Sequence, residues 1–381
     1  MNPITLLQPP RIVFGNGCAL QCAEFLASLG AKRALLVSST PILPTITSIV
    51  DALKSMGVTL IQAPCVDREP TRSLFDQVLT AARGDRVDGV LGIGGGSAID
   101  VAKLVAALFH GEQTVHEVFG INLLRRRALP LVCLPTTAGT GAEVSPNAIL
   151  LDEADDLKKG VVSPHLVPDA AYVDPLLTLT VPAAVTAATG LDALTHCIEA
   201  YANKFAHPIV DTYALQGIRL ISANLARAVH NGKDLEARAA LSLGSLYGGL
   251  CLGPVNTAAV HALAYPLGGR FHIAHGVSNA LLLPHVLRFN FSAAPERYAE
   301  IAAALGIAPN GSPFSVAEYG VEFLSQLSRD CGVPQKLSEL AVPREAIPEM
   351  AAAAMQVTRL LKNNLRPVTE ADARQIYEAA Y

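Results

Sequence analysis

The sequence predicts an α/β domain built on a parallel sheet over residues 1–181, followed by an all-helical domain over residues 182–381. Three observations carry this. At 381 residues the chain is longer than one hydrophobic core usually organises, which favours two domains. In the first half, short aliphatic or β-branched runs alternate with helical stretches, the pattern of parallel strands joined by crossover helices. From Pro182 on, Ala- and Leu-rich segments of helical periodicity dominate, and Pro and Gly collect in the loops.

Arg33–Ser39, Gly57–Ala63, Gly89–Ile93 and Leu129–Leu134 read as strands, because each is a short apolar run suited to a sheet covered on both faces. Ile42–Met56, Thr71–Arg83 and Ala98–His110 read as the helices between them. Ala239–Gly269 runs for 31 residues without a formal charge, long enough to suggest a membrane span. Its glycines, Asn256, His261 and the Gly253-Pro254 pair divide it into two pieces too short to cross, so two buried helices are expected.

Composition excludes several function classes. Apolar residues make up 51% of the chain and the net charge is only -4, which implies neither a nucleic-acid surface nor an acidic tail. The short basic run Arg125–Arg127 reads as a solvated loop before a strand. Seven cysteines without a CxxC pair suggest reduced thiols in a cytoplasmic protein. MNPITLLQPP lacks the basic n-region and long apolar core of a signal peptide, so no membrane partner is expected.

The helical half carries one carboxylate and three imidazoles at spacings that suit a single cation: Asp192 and His196 in GLDALTHCIEAY, then His261 and His275 in VHALAYPLGGRFHIAHG. On a helix, residues four apart project from one face about a turn apart, so Asp192 and His196 can reach the same ion. An Asp/His pair at this spacing is also common on helix surfaces. Here it lies in an apolar stretch, where both groups need a partner. Three nitrogens and one oxygen suit Fe(II) or Zn(II), not the all-oxygen cages of calcium or magnesium. Cys197 sits about 100° round from His196 on a helix and reads as core packing.

The first half carries the phosphate-binding signals. LGIGGGSAIDVAK, Leu91 to Lys103, is a strand running into three glycines and then a helix, with Ser97 placed to cap it. Gly95 and Gly96 would let backbone approach a pyrophosphate, and free helix N–H groups would face the anion. A tight turn before a capped helix has the same pattern. PTTAGTGAEVSP, Pro135 to Pro146, follows the next strand and offers the hydroxyls of Thr136, Thr137 and Thr140. Two such loops at the carboxyl ends of adjacent strands are where an open α/β sheet holds a dinucleotide.

On GGGSAIDVAK, PTTAGTGAEVSP, ATGLDALTHCIEAY and VHALAYPLGGRFHIAHGVSNALLLPH, in that order, the chain resembles the iron-containing (group III) metal-dependent alcohol dehydrogenases over nearly its whole length. The resemblance implies a dehydroquinate synthase-like architecture: a Rossmann-like dinucleotide-binding domain and a helical metal-binding domain, with NAD or NADP and a divalent metal meeting in the cleft between them. It implies Asp192, His196, His261 and His275 as metal ligands. Gly95, Gly96, Ser97, Asp100, Thr136, Thr137, Thr140 and Lys158 would line the cofactor, and Asn147 would face the substrate. In EADDLKKG a solvated Lys158 is an equally good reading. The implied activity is reversible, metal-assisted hydride transfer between a small alcohol and its aldehyde or ketone, in a homodimer or higher homo-oligomer.

Two departures from the family pattern carry information. Many NAD-preferring members end the first nucleotide strand with an aspartate that holds the adenosine ribose, where this chain has Ser39. Its absence removes a repulsion of the 2′-phosphate, and no Arg or Lys follows closely, so both cofactors are expected to bind. Tyr265 stands where many members carry a proton-relaying histidine. Its phenol is a poorer relay near neutral pH, and His272 is the candidate that compensates. The alternatives are a maleylacetate reductase, a glycerol dehydrogenase-like enzyme, a dehydroquinate synthase-like lyase and a non-catalytic binding protein. The lyase needs a Lys- and Arg-rich site that these motifs lack.

Overall fold

A computed structural model describes residues 3–154 and 157–381. The chain divides into two compact units, Leu6–Thr180 and Val181–Tyr381, with the residues before Leu6 grouping with the second.

In the α/β unit, β1 (Arg11–Phe14), β2 (Arg33–Ser38), β3 (Thr59–Gln62), β4 (Gly89–Gly94), β6 (Leu131–Pro135) and β9 (Ala170–Val173) form one sheet in the order β1-β9-β6-β4-β2-β3. Every pairing in it is parallel. Successive strand side chains point to opposite faces, and both faces are covered. Leu35 and Val37 of β2 enter a core with Val78 of α3 (Arg72–Gly84) and Val105 of α4 (Gly96–Leu108). Ala34 and Leu36 enter the opposite core with Leu26 of α1 (Cys22–Ser28) and Leu53 of α2 (Thr47–Ser55). After the one-turn helix α5 (Val115–Val118), a smaller sheet orders β5 (Gly120–Ile121), β8 (Leu157–Val162) and β7 (Asn147–Asp152).

Several element boundaries differ from the expected ones, and three of them have a clear local cause. The helix expected over 42–56 is a 3₁₀ segment, Thr40–Thr45, followed by α2, because Pro44 has no N–H to continue an α-helical ladder. The strand expected from Gly57 begins at Thr59, since Gly57 turns the chain in the left-handed region at φ 77°. The strand expected from Leu129 begins at Leu131, because Ala128 and Leu129 both donate to the Ala106 carbonyl at the end of α4. In the basic run before it, Arg125 and Arg126 are exposed, whereas Arg127 is half-buried and pairs with Asp169.

Gly94 lets α4 approach the sheet closely: a β-carbon there would come 2.7 Å from Cβ of Ala98. Lys103 of the same helix is fully buried. Its ammonium donates to the carbonyls of Ser145 at 2.8 Å and Asn147 at 2.9 Å, so it ties α4 to the start of β7. Burial lowers its pKa, an effect opposed mainly by the Asp100 carboxylate.

The helical unit is built on α6 (Ala183–Tyr201), α7 (Pro208–His230), α8 (Leu235–Leu252), α9 (Ala259–Phe271) and α10 (His275–Asn290), with α11 (Pro295–Ala304), α12 (Pro313–Asp330), α13 (Ile347–Met355), α14 (Thr358–Leu361) and α15 (Glu370–Ala379) packed around them. Small residues set the spacing of the inner helices. A β-carbon on Gly190 would meet Leu225 at 2.4 Å, and one on Gly244 would meet Ile221 at 2.5 Å. The uncharged stretch 239–269 is divided between α8 and α9 by a turn that starts at Gly253. Among the described residues, no helix is long and apolar enough to cross a membrane.

Lys103→Ala should lower the unfolding free energy by roughly 3 kcal/mol, because it leaves Asp100 and two carbonyls without their buried cation. Urea denaturation checks this, and a midpoint matching the parent would remove the strut.

Candidate metal centre and nucleotide loops

α6 presents Asp192, His196 and Glu199 on one face, at spacings of four and three, and all three are buried. α9 contributes His261, and His275 is the first residue of α10. Asp192 Oδ1 lies 3.8 Å from Nε2 of His196, 3.5 Å from that of His261 and 3.7 Å from that of His275. Four donors about 2.1 Å from one cation would stand roughly 3.4 Å apart in a tetrahedron, and the three separations from Asp192 lie close to that value. Asp192, His261 and His275 form a group whose ligand atoms all lie within 4.8 Å of one another. His196 joins them through Asp192 and by stacking on the His261 ring at 4.8 Å.

Two buried side chains that were not expected hold this group in place. Glu199 Oε2 lies 2.6 Å from His261 Nδ1, and its Oε1 accepts from the Val260 N–H at 2.6 Å. A carboxylate at Nδ1 fixes one proton there and leaves Nε2 as the nitrogen that faces Asp192. Asn279 Nδ2 donates to Asp192 Oδ1 at 2.7 Å and lies 3.1 and 3.2 Å from Nε2 of His261 and His275. Both had a signal in the sequence: Glu199 shares the α6 face of Asp192 and His196, and Asn279 stands four residues after His275.

Electrostatics follow the geometry. Burial alone would raise the Asp192 carboxyl, but the surrounding imidazoles, His196 foremost, outweigh it and hold the group well below the usual carboxylate range. Burial pushes the His261 imidazole down, and the Glu199 and Asp192 carboxylates more than reverse this, to about 9. A metal that takes His261 Nε2 must displace a proton below that pH, so its binding strengthens as pH rises toward 9.

Packing brings α10 to α6. Gly276 lies on the α6 backbone, where a β-carbon would come 2.3 Å from the Ala188 carbonyl oxygen. Cys197 faces away from the cluster, its Sγ against Gly217 and 3.9 Å from the Gly244 carbonyl, and burial pushes its thiol up to about 12. Tyr265 stands near the cluster, its ring 6.3 Å from that of His275. His272 is exposed and ends α9 in the left-handed conformation at φ 54°.

In the α/β unit the two glycine- and threonine-bearing loops touch. Gly94 of β4 is in register with Pro135 of β6, and the Thr136 N–H donates to the Gly94 carbonyl at 2.9 Å. A β-carbon on Gly95 would meet Thr137 Oγ1 at 3.5 Å, and one on Gly96 would meet Thr140 Oγ1 at 2.7 Å. Ser97 is not the cap that the sequence suggested. The helix starts two residues earlier, with Gly95 at the N-cap in extended conformation and no side chain bonded to the first N–H groups. That uncapped end suits a phosphate.

The remaining expected cofactor residues have specific surroundings. Asp100 accepts from the Ile149 N–H at 3.0 Å, and burial, partly offset by Lys103, lifts its carboxyl to about 6. It therefore faces β7. Lys158 is not a solvated lysine: its side chain is buried and pairs with Glu69. Asn147 begins β7 with a buried Oδ1 that has no hydrogen-bond partner among the described residues. Ser39 is half-buried just past β2. Beside it, Asp67 accepts from the Thr40 N–H and hydroxyl, both at 2.7 Å, so a carboxylate from the loop after β3 stands at the end of β2.

Glu199→Gln should weaken metal binding by about 10- to 100-fold, because the amide no longer fixes the His261 proton. Competition with a chelator across pH 6–9 measures this, and unchanged affinity and pH slope would separate Glu199 from the metal.

The chain matches known proteins over both of its halves. Residues 9–175 match iron-containing alcohol dehydrogenase, and residues 186–381 match the C-terminal part of the Fe-containing alcohol dehydrogenase family. The chain is 39% identical to long-chain-alcohol dehydrogenase 1 of Geobacillus thermodenitrificans over 100% of its own length and 98% of the relative's. It is 36% identical to 1,3-propanediol dehydrogenase of Citrobacter freundii over 98% of both. Among solved structures, a 1,3-propanediol oxidoreductase superposes with a TM-score of 0.96 at 35% identity, covering all of both chains. An alcohol dehydrogenase from Oenococcus oeni does so with a TM-score of 0.96 at 32% identity, again over both full chains. With both halves matched in order and relatives aligned end to end, the chain belongs to the iron-containing alcohol dehydrogenase family.

Proposed function

We propose that the protein catalyses reversible hydride transfer between a nicotinamide dinucleotide and a small alcohol or its aldehyde or ketone, with Fe(II), or else Zn(II), held by Asp192, His196, His261 and His275. The observation that carries this is the single Asp192 oxygen set 3.5 to 3.8 Å from three imidazole nitrogens. When bound, the metal supplies Lewis acidity to the substrate oxygen and the dinucleotide gives or takes the hydride. Asp192 and the three imidazoles hold the cation, Glu199 keeps the His261 proton on Nδ1, and Asn279 fixes the Asp192 carboxylate. Gly95, Gly96 and Ser97 at the start of α4, with Thr136, Thr137 and Thr140, take the phosphates.

Tyr265 orients substrate rather than relaying protons. The exposed His272 caps α9. The lyase reading fits less well, since a phosphorylated acidic substrate needs several cations around the metal. A maleylacetate reductase or glycerol dehydrogenase-like activity stays within the same chemistry. We assign the protein to the cytoplasm and to a homodimer or larger assembly on the family resemblance.

Stripped protein should oxidise NADH with short aldehydes only after Fe(II) or Zn(II) is restored anaerobically, and His261→Ala should lose bound metal and turnover together. Full turnover without metal would overturn this reading.

Cofactor choice leans toward NAD. Although Ser39 itself is neutral, the Asp67 carboxylate at the same strand end repels a 2′-phosphate. Asp67→Asn should raise the NADPH to NADH ratio of kcat/KM about tenfold. A constant ratio would place the adenosine ribose elsewhere.

A further inference from the structure

The helical unit places one guanidinium beside the metal-ligand cluster that the mechanism above does not use. Arg359 lies on α14, which packs on α9, and its Nη2 donates to the Tyr265 hydroxyl at 3.5 Å. Tyr265 stands one helical turn after His261, with its ring 6.3 Å from that of His275. His275 is also the most accessible ligand, its side chain 30% exposed where those of Asp192, His196 and His261 are nearly closed off. The order His275, Tyr265, Arg359 thus runs from the accessible edge of the cluster outward to a positive charge.

Three further observations say that this charge is available and held in place. Among the described residues, no carboxylate forms an ion pair with Arg359. From Thr358 to Thr369 the chain carries Arg359, Lys362 and Arg366 and no acid. The backbone under Arg359 is pinned by two buried asparagines. Asn363 donates to the Thr257 carbonyl and Asn364 to Asn290 Oδ1, both at 2.7 Å, while the Asn363 carbonyl accepts from the Lys204 N–H at 2.9 Å. A half-buried guanidinium on a fixed backbone, with one hydrogen bond among the described residues, matches a carboxylate in a bidentate pair.

We propose that Arg359 anchors the carboxylate of the substrate, which makes the preferred substrate a short oxo acid and its hydroxy acid rather than a neutral aldehyde and alcohol. The inference rests on the dehydrogenase reading above. In the reductive direction the carbonyl carbon takes the hydride of the reduced dinucleotide and the carbonyl oxygen takes a proton, giving the hydroxy acid and the oxidised dinucleotide. Arg359 touches the far end of the substrate and takes no part in the transfer, so it acts on selection more than on turnover.

The test compares 4-oxobutanoate with butanal, which share a chain length and differ in the carboxylate, on metal-loaded enzyme with NADH. The parent should favour 4-oxobutanoate by at least about tenfold in kcat/KM, carried mainly by KM. Arg359→Met should lower that ratio about tenfold or more, and Arg359→Lys, which keeps the charge but not the fork, should fall between. Calorimetric binding of 4-oxobutanoate to the parent and to Arg359→Met, with matched thermal melts, decides the anchor even without turnover. Equal use of the two aldehydes by the parent, or equal binding by both proteins, overturns the anchor and leaves the dehydrogenase reading standing. Failure of both aldehydes to oxidise NADH, with Arg359-dependent binding intact, would sink that reading instead.

Discussion

A carboxylate buried in an apolar helix bundle is costly by several kcal/mol unless positive charge surrounds it, and Asp192 is such a group. The rest of the helical unit answers that constraint. His196 comes from the same helix, His261 and His275 from two others, and Asn279 supplies the neutral donor that fills the remaining approach to Oδ1. Each answer creates a second demand. His261 gathers two carboxylates, Asp192 at one nitrogen and Glu199 at the other, and three imidazoles around one carboxylate cannot all carry a proton without repelling one another. A divalent ion held there would resolve the conflict by replacing protons with one compact charge.

The α/β unit handles its buried charges differently. Lys103 is tied to the carbonyls of Ser145 and Asn147 at the junction of α4 and β7, and burial, only partly offset by that ammonium, lifts the Asp100 carboxyl to about 6 and the Glu143 carboxyl to about 7. None of that charge is spent at the first turn of α4, which stays without a side-chain cap between the threonines of the neighbouring loop. An enclosed polar knot thus fixes the strands, and the adjoining backbone amides remain for a ligand.

The legible part of this molecule was the part written in short-range pattern. Alternating apolar runs gave the parallel strands, because a sheet covered on both faces needs uninterrupted hydrophobic segments. The Asp192/His196 spacing was legible for the same reason, since one helix turn fixes which side chains share a face. Glu199, three residues beyond His196 in an apolar helix, carries a weaker signal, because a lone glutamate there looks like an ordinary surface charge. Ser97 misled because glycine at an N-cap leaves no side-chain signature. Asp67 lies 27 residues from Thr40, and its place at the end of β2 depends on the pairing of β2 with β3, which local pattern does not encode. Arg359 and Tyr265 are 94 residues apart and meet only once α14 packs on α9.

The contact at Gly276 bears on ionic size. Because α10 rests directly on the α6 backbone at Ala188, with no side chain between them to trim or extend, the distance between the helices carrying Asp192 and His275 is set by main-chain van der Waals radii. The bundle cannot widen for a larger ion or narrow for a smaller one without moving whole helices. Discrimination among first-row metals then falls to ring rotation of the imidazoles and to ligand chemistry. An ion seated between Asp192 and His275 would therefore meet a fixed helix spacing, and its fit would be adjusted by the side chains alone.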